Sequence, residues 1–367
     1  MNKVRIGVVG LGRLGQQHAD NIVNKIRNAR LSAVCSVQEN ELYRAKKEWG
    51  VDQCNTDYDE MIAQVDLDAV AIISPSNLHC EQVISALKKG LHVFCEKPLG
   101  ISKAECLKVE KAVSQQPKLV FMLGFMRRYD PSYVYAKNKI ESGYIGRPIL
   151  FRGYSVDPES AINGAIKYAV HSAGQFLDMA IHDIDLARWL LQSEPKSIYA
   201  IGGCYAHQEF AKYEDGDNVS ALMQFENESM AFLLAGRTAP HGYNVETEII
   251  GTRGHIRIGS VPQKNLVELI DATGIRKECT YSFSERFREA FVNEMQEFVD
   301  CIRKDRKPSV SAHDGTRSTI IAELATQSFK DNKLIKMDLK NYKKEKLEDH
   351  IFNHPDTYVG GCDLIEE

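Results

Sequence analysis

The feature that most constrains the fold is a glycine-rich turn at residues 7–15, GVVGLGRLG. The β-branched run at residues 4–9 is typical of a buried parallel strand, and residues 16–26 are compatible with a helix. A strand that enters a helix through such a turn is the beginning of a βαβ unit. The N-terminal part of the chain is therefore predicted to be α/β with a parallel sheet.

The glycines of this turn have the spacing GxGxxG. In that context the first allows a tight turn, the second lets the backbone approach a pyrophosphate, and the third lets the helix pack on the strand. The phosphates would then lie at the helix N-terminus, where free N–H groups point outward. An ordinary glycine-rich turn is the alternative. We predict a dinucleotide site formed by Gly10, Leu11, Gly12, Arg13, Leu14 and Gly15.

The residue that contacts the adenosine ribose is expected about twenty residues further on, at the end of the second strand. That strand is predicted at residues 31–37, and the matching position is Ser36, followed by Val37. Glu39 could reach the ribose from one turn further on, which would favour NAD. Ser36 with Arg44 could instead accept the 2′-phosphate of NADP. We expect NAD, with NADP as the open alternative.

Further short apolar runs predict parallel strands at residues 69–73, 91–95 and 119–125. Ligands of such sheets bind beyond the carboxyl ends of the strands. Helix capping is an equal alternative for Asn77 and His79. The loops after the first two runs are predicted to contribute to the cofactor site Ser74, Pro75, Asn77, His79, Glu96 and Lys97.

Lys97 is the first candidate catalytic residue. It ends a predicted parallel strand, and Pro98 after it biases its backbone away from helical geometry. A lysine in a partly desolvated crevice can have its pKa lowered enough to exchange a proton near neutral pH. On position alone, a surface lysine in a loop would be the more common interpretation.

After residue 125 the alternation of strands and helices gives way to longer strands. An open, mostly antiparallel sheet is predicted, and such a sheet leaves one face that association could cover. Two closing helices are expected at residues 295–303 and 313–330. The strands are predicted near residues 149–154, 197–206, 218–226, 229–237, 245–250, 254–258, 264–270, 276–282 and 334–337.

Residues 174–191, GQFLDMAIHDIDLARWLL, predict one helix with a polar stripe. Asp178, His182 and Asp185 are spaced by four and three residues, so that all three project from one face. A carboxylate one turn from an imidazole can orient it and raise its proton affinity. A solvated polar face is the simpler interpretation, and no recognised metal-ligand spacing is present.

Composition narrows the class of protein. A chain of 367 residues is long enough for two domains, and a net charge of −4 gives no general attraction to nucleic acid. No apolar stretch reaches the length of a membrane span, and the N-terminus does not resemble a signal peptide. Nine scattered cysteines fit reduced thiols in the cytoplasm. The domains are predicted at residues 1–125 and 126–338, followed by an appendage at residues 339–367.

Together, the glycine turn, Glu96-Lys97-Pro98 and the Asp178-xxx-His182 pair resemble the glucose-fructose oxidoreductase, inositol dehydrogenase and MocA family over residues 1 to about 338. The segment at residues 124–131, GFMRRYDP, is most similar to the inositol dehydrogenases. The resemblance implies a Rossmann domain followed by an α+β domain, whose open sheet commonly mediates tetramer formation.

The resemblance also implies roles for particular residues. Lys97, Asp178 and His182 match the catalytic positions of the family. A substrate-pocket arginine falls on Arg127, and Ser155 and Asp157 occupy positions where close relatives have a histidine and an asparagine. His241-Gly242-Tyr243 matches a loop that closes over the substrate ring.

The main hypothesis is an NAD(P)-dependent dehydrogenase that oxidises a ring hydroxyl of myo- or scyllo-inositol to an inosose. His182 would be the general base, Lys97 would hydrogen-bond the reacting oxygen, and Asp178 would orient the imidazole. The first alternative is an aldose or other sugar dehydrogenase of the same family. The second is a dinucleotide-binding sensor without catalysis, since fold alone does not exclude it.

Overall fold

The computed structural model describes residues 3–170, 172–259 and 263–339, so that nearly all of the predicted appendage lies outside the described residues. The strands are β1 (Val4–Val9), β2 (Ala29–Cys35), β3 (Gln53–Asn55), β4 (Ala69–Ile72), β5 (His92–Glu96), β6 (Phe121–Gly124), β7 (Pro148–Pro158), β8 (Pro195–Gly203), β9 (Asn218–Phe225), β10 (Met230–Ala239), β11 (Asn244–Gly251), β12 (His255–Ile258), β13 (Leu269–Asp271), β14 (Gly274–Arg276) and β15 (Ile335–Lys336). The helices are α1 (Arg13–Asn24), α2 (Glu39–Trp49), α3 (Tyr58–Gln64), α4 (His79–Lys88), α5 (Lys103–Ser114), α6 (Pro131–Glu141), α7 (Ile162–Ala169), α8 (Ile181–Leu191), α9 (Phe283–Arg286), α10 (Arg288–Lys304) and α11 (Ala312–Asp331).

The N-terminal lobe is a six-stranded parallel sheet in the order β3-β2-β1-β4-β5-β6. Chain order reverses between β1 and β4, which opens the crevice at which dinucleotides bind in such sheets. The four residues of β4 are all buried, as a strand with helices on both faces requires. The predicted Rossmann architecture is confirmed, whereas α2, β3 and α3 were not predicted.

The C-terminal lobe is a seven-stranded sheet in the order β12-β11-β7-β10-β9-β8-β15. Only β7 and β10 pair in parallel among these neighbours, so the sheet is mixed but mostly antiparallel, as expected. The long strands predicted at residues 264–270 and 276–282 are wrong. The structure has only the short hairpin of β13 and β14 there, and its apolar residues Leu266 and Ile270 are exposed because the hairpin packs on no sheet.

The predicted helix at residues 174–191 is interrupted near its start. A π-helical turn at Phe176–Ala180 precedes α8, and the pair of elements is buried against β7, β10 and α11. Such turns widen the backbone and recur at functional sites. Asp178 lies in the π turn and His182 in the first turn of α8, so the simple spacing of an α-helix does not relate them.

The helix α10 joins the two lobes. Its residues Met295, Phe298 and Val299 are part of the core that is built around β1 and α1 of the first lobe. The helix is longer than the predicted span of 295–303 because its buried positions continue back to Ala290. A helix from the C-terminal part of the sequence therefore packs on the first strand and helix of the N-terminal lobe. Among the helices of the described part of the chain, none combines the length and the apolar character that crossing a bilayer requires.

Three buried titratable groups meet between α1, β5 and α10. His18 Nε2 lies 2.8 Å from Oε1 of Glu96 and 4.0 Å from Oε1 of Glu294, and these ligand atoms are close enough together for one metal ion to bridge them. Both oxygens of Glu294 are buried without a hydrogen-bond partner. Burial, and then the nearby Glu96, raise the pKa of Glu294 well above its ordinary value of 4.5. Glu294 is therefore held as the neutral acid.

We expect Glu294→Gln to stabilise the protein at neutral pH and to have little effect near pH 4. The unfolded chain releases the proton of Glu294 above about pH 4.5, whereas the folded chain keeps it. Wild-type stability therefore falls by up to about 1.4 kcal/mol per pH unit up to the folded-state pKa, and a glutamine avoids this loss. Urea unfolding of both proteins from pH 4 to 8 measures the difference.

The matched control lies on the same helix. Arg306 holds the pKa of Glu297 below its ordinary value through a charge-assisted hydrogen bond at 2.5 Å. The stability that this pair contributes is present at neutral pH and is lost as pH falls. Glu297→Gln should therefore destabilise at pH 7, with the opposite sign. A Glu294→Gln variant that also loses stability at pH 7 would contradict a protonated Glu294.

Candidate active site

The glycine turn has the geometry that a bound pyrophosphate needs. Gly10 has φ of +85°, and a Cβ there would lie 2.5 Å from the carbonyl oxygen of Ile73. A Cβ at Gly15 would lie 1.8 Å from the oxygen of Gly10, whereas one at Gly12 would meet nothing within 4 Å. The open side of the turn is therefore at Gly12, beside the N-terminus of α1. The first turn of α1 carries no acidic residue, so its free N–H groups suit an anion.

The predicted ribose-contacting position has a partner that the sequence did not suggest. Ser36 is buried just after β2, and its hydroxyl donates to Oε2 of Glu41 at 2.5 Å. Val37 and Glu39 are exposed beside it. Arg44, the proposed phosphate partner of Ser36, donates instead to Gln16 and Glu48.

The loop at residues 74–79 is tied to the loop that follows β5. His79 is buried, with Nδ1 2.7 Å from the oxygen of Pro98 and Nε2 2.9 Å from that of Ser74. Leu78 occupies the N-cap of α4 and makes no side-chain capping bond, while Pro75 and Asn77 are exposed. Helix capping is therefore the wrong interpretation for His79, which instead connects the loop after β4 to the loop after β5.

Lys97 joins the two lobes. Its ammonium donates to the backbone oxygen of Asp178 at 2.7 Å and lies 3.5 Å from Oδ1 of the same residue. Glu96 supports it from behind, because Oε2 of Glu96 accepts the backbone N–H of Lys97 at 3.1 Å. The Lys97-Pro98 peptide bond is cis. The surface-lysine interpretation is wrong, since only 21% of the Lys97 side chain is exposed.

Asp178 is held between two cations. Besides Lys97, Nη2 of Arg237 donates to Oδ2 of Asp178 at 2.6 Å. Arg237 is itself buried and fixed by Gln175, and its Nη1 lies 3.6 Å from Asp157. Burial acts to raise the pKa of Asp178, but Lys97 and Arg237 outweigh it and hold the pKa below its ordinary value. Asp178 is therefore an ionised carboxylate at neutral pH.

His182 lies beside this ion-pair network with a free nitrogen. Its ring contacts Phe125 edge-to-face at 6.0 Å between centroids, and Nδ1 is buried without a hydrogen-bond partner. Burial, followed by the charges of Arg127 and Lys97, lowers the pKa of His182 well below its ordinary value of 6.5. The side chain of Asp178 contacts Lys97 and Arg237, and among the described residues no hydrogen bond joins it to the imidazole of His182. His182 is therefore a neutral imidazole.

The predicted substrate arginine is the centre of a second buried group. Arg127 donates to Asp183 at 3.1 Å and to Ser155 at 3.0 Å, and Ser155 donates to the other oxygen of Asp183. Nε of Arg127 is buried without a partner. Asp183 was not predicted. The stripe residue Asp185 is turned away instead, with both of its oxygens on Arg128.

Of the predicted closing loop, His241-Gly242-Tyr243, only Tyr243 lies beside Arg127. Tyr243 is buried, packs edge-to-face on Phe287 at 6.3 Å and lies close enough to Arg127 for the guanidinium to act on its pKa. Burial raises the pKa of Tyr243, which keeps the phenol protonated. His241 is exposed at the start of the loop, and its contact with a substrate stays a prediction.

Comparison with known proteins is consistent with this geometry. Residues 4–125 match an oxidoreductase family with an NAD-binding Rossmann fold, and residues 133–257 match the GFO/IDH/MocA C-terminal domain. The chain belongs to the GFO/IDH/MocA family. The resemblance drawn from the glycine turn and Lys97 is thereby confirmed.

Several members of the GFO/IDH/MocA family are similar over nearly their whole length. A scyllo-inositol 2-dehydrogenase (NAD(+)) of Bacillus subtilis strain 168 is 34% identical over 92% of this chain and 98% of that protein. The solved structure of a Lactobacillus casei scyllo-inositol dehydrogenase with bound NAD(H) and scyllo-inositol is 44% identical, with a TM-score of 0.88 over 91% of this chain and 99% of that one. A Lactobacillus plantarum myo-inositol 2-dehydrogenase is 39% identical, with a TM-score of 0.90 over 92% of this chain and all of that one.

Proposed function

We propose that this protein is an NAD-dependent inositol 2-dehydrogenase, which oxidises a ring hydroxyl of scyllo- or myo-inositol to the ketone of an inosose. The observation that carries the proposal is the 2.7 Å bond from Lys97 to Asp178, which joins the cofactor lobe to the polar helix of the second lobe. The relatives named above support the choice of substrate, since dehydrogenases of both inositol isomers are among them.

The pocket residues suit a ring that carries several hydroxyl groups. Each hydroxyl both donates and accepts a hydrogen bond, so a polyol needs both kinds of partner around it. Lys97 and Arg127 supply donors, and Asp157 and Asp178 supply acceptors, within one buried region. Burial raises the pKa of Asp157, while the nearby Arg237 acts to lower it. A pocket of this kind rejects compounds that leave its buried polar groups unpaired.

The chemistry divides between two residues. Bound NAD supplies the acceptor for the hydride that leaves the ring carbon. The neutral imidazole of His182 accepts the hydroxyl proton as the C=O bond forms. The ammonium of Lys97 donates a hydrogen bond to the same oxygen and stabilises the negative charge that develops there. Asp178 and Arg237 position Lys97 for this role, the first through its backbone oxygen as well as its carboxylate.

The two alternative functions, a sugar dehydrogenase and a sensor without catalysis, differ from this proposal in the substrate that the protein oxidises. A sugar dehydrogenase of the same family would use the same Lys97 and His182 with aldoses. A sensor without catalysis would bind the cofactor and turn over nothing. The assembled contacts of Lys97, Asp178 and Arg237 favour an enzyme, because cofactor binding alone does not require a charged network around the substrate position.

We expect purified protein to reduce NAD with scyllo-inositol or myo-inositol and to be much less active with aldoses. The measurement is NADH formation at 340 nm with NAD and with NADP, against inositol stereoisomers and a panel of aldoses. Turnover confined to aldoses would support the sugar dehydrogenase. NADH binding without turnover of any polyol would support the sensor.

We expect Lys97→Ala and His182→Ala each to lower kcat by about 10²- to 10⁴-fold, the usual contribution of a positioned acid–base group. NADH binding should persist in both variants, because neither removes the glycine turn. Lys88→Ala, an exposed lysine at the end of α4, is the matched control and should retain full activity. Near-wild-type turnover of both active-site variants would rule out their assigned roles.

The proposal includes a cytoplasmic homotetramer, assembled through the outer face of the C-terminal sheet. On that face Tyr199, Leu222 and Phe232 form a cross-strand row, since Tyr199 is paired with Leu222 and Leu222 with Phe232. Leu222 and Met230 are at least half exposed. A broad apolar row of this kind is a common route to symmetric association, with a second copy of the chain as its partner.

We expect Leu222→Glu to lower the oligomeric state, because it places a charge at the centre of that row. Light scattering coupled to size-exclusion chromatography measures the mass. Leu266→Glu is the control, since Leu266 is almost fully exposed on the hairpin away from the sheet. A wild-type protein that elutes as a monomer, or a Leu222→Glu variant that stays tetrameric, would contradict this interface.

A further inference from the structure

At the end of β2 lies the carboxylate of Glu41, a residue of the helix α2. An aspartate or glutamate at the position of Ser36 would contact the adenosine ribose in an NAD-binding domain of this kind. Ser36 instead donates its hydroxyl proton to Oε2 of Glu41 at 2.5 Å, and the same oxygen of Ser36 accepts the N–H of Gln38 at 3.1 Å. The serine hydroxyl thereby both donates and accepts a hydrogen bond, and it holds the Glu41 side chain against the strand end.

From this pair we infer that Glu41 binds the adenosine ribose and makes the protein selective for NAD over NADP. Glu41 lies in the first turn of α2, and its carboxylate reaches back to the side chain of Ser36 at the end of β2. Within the described residues no hydrogen bond reaches its Oε1, which leaves that oxygen to accept the ribose 2′-hydroxyl. A 2′-phosphate would meet a carboxylate there, and two like charges repel. The inference rests on the proposed NAD-linked function and names the residue behind it.

Two other charged residues of α2 compete for this role. Glu39 is exposed at the first position of the helix, and no hydrogen bond among the described residues holds its carboxylate at the strand end. Arg44 would favour NADP if it were free to receive a phosphate. Its Nη1 donates to Gln16 at 2.7 Å and its Nε to Glu48 at 2.8 Å, so it bridges α1 and α2 instead. Glu41 is thus the acid whose position the structure holds.

The test measures binding of NADH and NADPH to the full-length protein by fluorescence titration, with no polyol present. Glu41→Gln keeps the shape of the side chain and removes its charge. A hydrogen bond to a charged group contributes about 1.5–3 kcal/mol, so NADH binding should weaken roughly 10- to 100-fold. NADPH binding should stay unchanged or improve, since the repulsion is removed.

A second variant keeps the test decisive. Adding Ser36→Asp to Glu41→Gln returns a carboxylate to the strand end and should restore the preference for NADH. The inference is overturned if Glu41→Gln leaves the NADH to NADPH ratio unchanged while a melting curve shows a folded protein. It is also overturned if Glu39→Gln, and not Glu41→Gln, causes the loss. Failure to turn over inositol with both cofactor affinities intact would count against the proposed function alone.

Discussion

The candidate active site depends on one contact between lobes, the ammonium of Lys97 on the backbone oxygen of Asp178. β5 delivers Lys97 from the cofactor sheet, and the π turn before α8 delivers Asp178 from the other side. Neither lobe has a complete site by itself. The position of Lys97 is fixed further by Glu96, whose carboxylate accepts the Lys97 N–H on one oxygen and contacts His18 on the other.

Burial and neighbouring charges set the ionisation state of each buried titratable group around the site, and they do so differently for Asp178 and His182. Lys97 and Arg237 keep Asp178 ionised, while burial and two cations keep His182 neutral. The neutral imidazole of His182 therefore lies close to the ionised carboxylate of Asp178 and the cations that hold it. Acid–base chemistry at neutral pH requires neighbouring titratable groups whose pKa values are shifted in different directions by their surroundings.

Local patterns were sufficient to predict some of these residues and not others. The glycine turn and Lys97 could be identified because their chemistry depends on neighbours in the sequence. Arg237 and Asp183 could not, because each acquires its role only when separate elements pack. Both left a signal: Arg237 has the inward register of Leu233 and Ala235 in β10, and Asp183 stands between the buried Ile181 and Ile184. A charged residue among buried apolar positions must have a partner. The π turn left no such signal, so the spacing of Asp178 and His182 was misread.

The bond from Lys97 to a backbone oxygen has a consequence for how such a site can change. A carbonyl oxygen is present whatever side chain stands at residue 178, so the anchor of the lysine does not depend on the identity of that residue. The carboxylate of Asp178, in contrast, accepts a hydrogen bond from Arg237. The side chain at residue 178 can therefore differ while the ammonium of Lys97 keeps its hydrogen bond to the backbone oxygen. Within this single residue, the backbone oxygen fixes the position of the lysine, and the side chain is free to take on a different chemistry.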